Sequence, residues 1–117
     1  MTPKPILKIG FRKQRSGRNS VLNLNYTLRA VADLDNIHKY ISADNPNAAD
    51  QVIARILQAM AVLEGFPDIG REGRIRESRE WLISGLPYVG IYTKASVTDI
   101  DIIAIIHVSQ QFPPEDI

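Results

Sequence analysis

Four arginines, Arg71, Arg74, Arg76 and Arg79, fall within nine residues of a 117-residue chain, inside the run PDIGREGRIRESR from Pro67 to Arg79. Guanidinium groups gathered this closely can clamp a phosphate or a partner's carboxylates, because each offers a planar fork of donors that stays charged. Gly70 and Gly73 loosen the backbone that carries them. Glu72, Glu77 and Glu80 interleave with the arginines and leave a net +1 over residues 71–80, so local ion pairing is the competing reading. In a strand, alternate side chains share a face, which would point residues 74, 76 and 78 together and Arg79 the other way. Arg79, nearest the sheet, is the first candidate for function, with Arg76 beside it.

His107 is the second group with chemistry to offer. It stands where the last strand ends and can exchange a proton near neutral pH; its plainer reading is a half-exposed strand residue that packs. Tyr92 and Lys94, closing the neighbouring strand, read as solvent-facing groups of the same kind. His38 is the other imidazole, and two histidines are too few for a His-based metal site without carboxylates. The chain has no cysteine, which removes disulfides, a thiol nucleophile and thiolate ligands. P-loop, Rossmann glycine and HExxH patterns are absent, so neither cofactor nor metal is expected.

These groups must be placed by a single domain, since 117 residues support one core and do not divide. The formal charge of +1 hides an asymmetry: residues 1–20 carry Lys4, Lys8, Arg12, Lys13, Arg15 and Arg18 and no acid, while the remaining 97 residues sum to −5. The body is mildly acidic, which argues against broad electrostatic capture of nucleic acid. Residues 1–20 read as a basic, flexible extension and residues 21–117 as the folded domain. No apolar run approaches the length that spans a bilayer, and no apolar h-region follows the basic start, so a cytoplasmic protein is expected.

The element order follows from periodicity. Val21–Tyr26 alternates apolar and polar residues as a strand does. Thr27 can cap a helix from Leu28 to about Ser42, whose Ala30, Leu34, Ile37 and Ile41 form one stripe. Asn45 and Pro46 restart a second helix running to about Glu64, with Gly65 as a left-handed stop. The short link makes the two an antiparallel hairpin; as a helix-turn-helix it fails, because the second helix presents Arg55 as its one cation. Glu80–Ser84, Tyr88–Thr93 and Asp99–Val108 read as three strands, the last apolar on both faces and central. Phe112-Pro113-Pro114 ends the fold. The expected class is α+β, β-α-α-β-β-β, an antiparallel sheet with a helical hairpin on one face.

In this order and with these gaps, ADLDNIHKYI, NPNAADQVIARIL, FPDIGREGRIRESREWLI, PYVGIYT and IIAIIHVSQQFP resemble the RelE/ParE superfamily of toxins from bacterial type II toxin–antitoxin pairs. The resemblance covers Val21 to Pro113 and implies the same fold. It implies a cognate antitoxin as partner in a hetero-oligomer, its C-terminal segment wrapping the toxin and meeting Arg71, Arg74, Arg76, Arg79, Tyr92, Lys94 and His107. Two mechanisms divide the superfamily. The ParE-like branch poisons DNA gyrase through a protein-binding surface; the GREGR-x-R-x-S-R-E junction resembles it more closely. The RelE-like branch cuts mRNA on the ribosome, which would cast Arg79 and His107 as catalytic. Against that branch stand the acidic body and the lack of a tyrosine after Tyr92 or a lysine pair before the arginines. A non-catalytic, toxin-like binding module is the third reading.

Overall fold

The computed structural model describes residues 6–7 and 22–112. The expected flexible extension at residues 1–20 lies outside the described residues apart from Ile6–Leu7, as do residue 21 and residues 113–117. Six strands are described: β1 (Ile6–Leu7), β2 (Asn23–Thr27), β3 (Arg71–Glu72), β4 (Arg79–Leu82), β5 (Tyr88–Lys94) and β6 (Asp99–His107). Two helices, α1 (Leu28–Ser42) and α2 (Pro46–Ala61), lie between β2 and β3.

Both helix starts follow the capping chemistry of their first residues. Thr27 keeps an extended backbone and accepts the Ala30 N–H, while its hydroxyl lies 3.1 Å and 3.0 Å from the Ile102 and Ile103 carbonyls of β6. Asn45 accepts the Ala48 N–H, and Pro46 opens α2 without losing a helical bond. The end of α2 departs from expectation. Gly65 has φ −103°, not a left-handed value, because the helix tightens into a 3-10 turn at Val62–Glu64 and the Gly65 and Phe66 N–H groups both return to Val62.

The sheet order is β1-β2-β6-β5-β4-β3. Neighbours pair antiparallel except β2 and β6, which run parallel with Asn23 opposite Asp99 and Tyr26 opposite Ile102. The sheet is therefore mixed rather than wholly antiparallel. An antiparallel helix pair followed by four antiparallel strands reverses the chain an even number of times, so β6 comes back beside β2 pointing the same way. The sheet also gains β3, which its two residues are too few to signal by periodicity.

The central strand β6 is apolar on both sides for a reason visible in its register. Ile91 pairs with Ala104 and Tyr92 with Ile102, so Ile103 is an extra residue that shifts the phase of the faces. Ile100, Ile102 and Ile105 join Tyr26, Ile56, Met60, Leu63, Ile83 and Tyr92 under the helices. Ala104 and Ile106 join Val89, Ile91 and Phe112 in a smaller cluster on the face away from the helices, with Ile75 laid against it. The arginine junction straddles the β3–β4 edge of this two-faced sheet.

Candidate functional site

The junction is held by two separate sets of bonds, one on each face of the sheet. On the face away from the helices, Glu80 of β4 is buried at 3% exposure. Its carboxylate accepts Arg71 Nη2 at 3.1 Å, Arg74 Nε at 2.9 Å, Arg74 Nη2 at 3.0 Å and the Arg74 backbone N–H at 3.0 Å. The Arg74 side-chain bonds, against the opposing push of burial, draw the Glu80 carboxyl down to about 2. The β3–β4 ladder makes this possible, because it sets Arg71 directly opposite Glu80.

On the helix side, Arg79 Nη1 donates to the carbonyls of Gly70 at 2.7 Å and Asp68 at 3.1 Å. The Asp68 carboxylate stands 3.8 Å from Arg79 Nε and 3.6 Å from Lys94 Nζ, so it is shared between two cations. Tyr92 is not the solvent-facing group that its position near the strand end suggests. It is fully buried, its hydroxyl donating to Pro67 O at 2.8 Å and accepting the Gly70 N–H at 2.9 Å, and burial raises its pKa. Tyr92 and Arg79 together pin the Pro67–Gly70 backbone to β4 and β5.

Residues 74–78 form a turn rather than a strand, so Arg74, Arg76 and Ser78 share no face. Ser78 is buried with its hydroxyl on Ile75 O at 2.6 Å, and Glu77 takes a left-handed φ of 64° with its carbonyl bonded to Thr93. Arg76 is exposed and, among the described residues, makes no hydrogen bond or ion pair. Of the four arginines it is the one with all its donors open to a partner.

His107 lies elsewhere. Its ring is edge-on to Tyr88 at 5.6 Å, and Nδ1 accepts the Ser109 N–H at 3.1 Å with the Ser109 hydroxyl at 2.8 Å. His107 pairs with the first residue of β5 whereas Arg79 pairs with the fifth, a separation of about 13 Å along the strand before the sideways step is added. The structure thus brings Arg71 with Arg74, and Arg79 with Tyr92 and Lys94, but joins neither group to His107.

Sequence reasoning overlooked the acceptors and the surface beside them. A groove of about 340 Å³ runs along the β4 edge, lined by Ile69, Trp81, Leu82, Val89 and Val108 with Arg71, Arg74 and Glu80 at one side. Leu82, Val108 and Ile69 are exposed at 59%, 50% and 45%. The outward alternation of Leu82 with Glu80 along β4 was the available signal, but it required knowing which edge of the sheet β4 occupies.

A family model described as ParE toxin of type II toxin-antitoxin system, parDE, matches residues 24–112. The Sinorhizobium fredii protein Y4kP, curated under a provisional toxin name, is 40% identical over 90 residues, covering 77% of this chain and 92% of its own. The solved structure titled "Chromosomal ParDE TA system from P. aeruginosa" is similar at a TM-score of 0.68 and 22% identity, over 74% of this chain and 96% of that one; it shares the fold.

Proposed function

This chain belongs to the ParE toxin family, the toxin half of type II toxin–antitoxin pairs, and from that footing we propose that it arrests growth by binding DNA gyrase. The observation that carries the reading is the engagement of the arginines. Arg71 and Arg74 bond Glu80, and Arg79 bonds two backbone carbonyls. Phosphoryl-transfer chemistry on RNA calls for cations free to meet a crowded phosphate and for an acid–base group within hydrogen-bond reach of the ribose. Here the nearest candidate, His107, sits at the other end of β5. A surface that works by shape and a few exposed anchors is served well by such a latched junction; a nuclease is not.

The cognate antitoxin is the second partner. The apolar groove along β4 with Arg71 and Arg74 beside it suits an extended segment that alternates apolar and acidic side chains. Among the described residues no helix is long and apolar enough to cross a membrane, and both partners place the working toxin in the cytoplasm.

Immobilised toxin tests the proposal directly. It should retain gyrase from a mixture of purified gyrase and ribosomes, and Arg76→Ala should weaken that retention about tenfold, as loss of an arginine anchor does, with an unchanged melting temperature. Arg79→Ala should instead lower the melting temperature, since it frees the Asp68 and Gly70 carbonyls. Retention of ribosomes and not gyrase would overturn the reading in favour of an mRNA endonuclease.

A further inference from the structure

The edge of β2 away from β6 is met by the chain's own residues Ile6 and Leu7, opposite Thr27 and Tyr26. The matched family region begins at residue 24, so this strand is an addition to the shared fold. Next along β2 is Asn25, a buried amide at 4% exposure. Its Nδ2 group donates toward β6, to Asp99 Oδ1 at 3.1 Å and Asp101 Oδ1 at 3.3 Å. Those two bonds fix the orientation of the amide, because a flip would set its oxygen against two carboxylates. Its Oδ1 therefore turns away from β6, toward β1, and among the described residues it has no hydrogen-bond partner. A buried acceptor left in that state costs about 1–3 kcal/mol.

We propose that β1 runs on past Leu7 and that the Lys8 ammonium is the missing donor, bonding Asn25 Oδ1 and balancing the charge of Asp101. Three observations converge on it. Continuing the β1–β2 register by one step sets position 8 opposite Asn25, and opposed residues of an antiparallel pair share a face. Asn25 and Asp101 are also opposite one another, so the two oxygens flank one spot. The next step sets Ile9 opposite Leu24, which packs against the helix-side core, so apolar meets apolar where the alternation requires it. An ammonium carries three donors and one charge, which matches an amide oxygen beside a carboxylate. With its own chain seated on β2, the sheet keeps one open edge, at β4, beside the apolar groove.

The test uses the full chain. Lys8→Met should lower the melting temperature by about 4 °C or more and move the Asn25 side-chain amide resonances, and Lys8→Arg should restore most of both. In Lys8→Met combined with Asp101→Asn, the loss should be smaller than the sum of the two single losses. A Lys8→Met protein that melts within about 1 °C of the parent with unmoved Asn25 resonances would overturn the assignment. So would additive losses without rescue by arginine, which would place Lys8 elsewhere.

Discussion

Glu80→Gln should destabilise the protein at neutral pH by about 2–3 kcal/mol, a fall of roughly 10 °C in melting temperature. The carboxylate is buried, and its charge is what holds Arg71 and Arg74; glutamine keeps the shape but offers one weaker acceptor to four donors. The pH dependence gives the stronger check. Glu80 has its pKa drawn from 4.5 down to about 2 in the fold, so its contribution is complete above pH 4.5 and is lost as the pH falls from 4.5 toward 2. Melting curves of parent and variant should stand apart at pH 7 and close together below pH 3. A constant gap across that range would mean that shape, not charge, is what Glu80 supplies. The exposure of both arginines keeps the loss below that of a wholly buried pair, because water can take over their solvation.

Gly70→Ala carries the other large effect. A Cβ at Gly70 would meet Tyr92 Oη at 2.7 Å, Tyr92 Cε1 at 2.8 Å and the Glu80 carbonyl at 2.9 Å. None of these is the end of a flexible side chain: the ring is fully buried and the carbonyl belongs to β4. The loop must move off the sheet edge, at a cost of about 2–3 kcal/mol, and Arg79 then loses the Gly70 carbonyl it holds at 2.7 Å. Tyr92→Phe alone should cost about 1–2 kcal/mol, by leaving the Gly70 N–H and the Pro67 carbonyl without their partner. The pair should be non-additive, since removing the hydroxyl also removes the nearest clash. Thermal melts of the two single variants and the double variant check this, and strict additivity would contradict it.

These two positions mark the boundary of what the sequence could tell. The helices were legible because Thr27, Asn45 and Pro46 carry their capping chemistry in their own side chains, and because the apolar stripes of α1 and α2 repeat over several turns. The order of strands and the sheet class followed from alternation in β2, β5 and β6. What escaped depended on pairing across the chain. Glu80 reads as one acid among arginines until β3, two residues long, sets Arg71 opposite it. Tyr92 reads as a polar strand end until the Pro67–Gly70 backbone closes over it. Arg79, favoured for function by its place next to the sheet, is the arginine the fold engages with backbone carbonyls, and Arg76, one turn earlier, is the one left open. Charge and spacing located the junction; long-range register decided which of its residues face a partner.

The central claim is that this toxin works on DNA gyrase through a binding surface and does not cut RNA. The purified chain should be added in parallel to gyrase with supercoiled plasmid and to ribosomes translating a defined mRNA. The account predicts trapped gyrase–DNA cleavage complexes with the mRNA intact, and their loss on addition of the cognate antitoxin. Cleavage of mRNA in the ribosomal A site, slowed by His107→Ala, with gyrase unaffected, would contradict it.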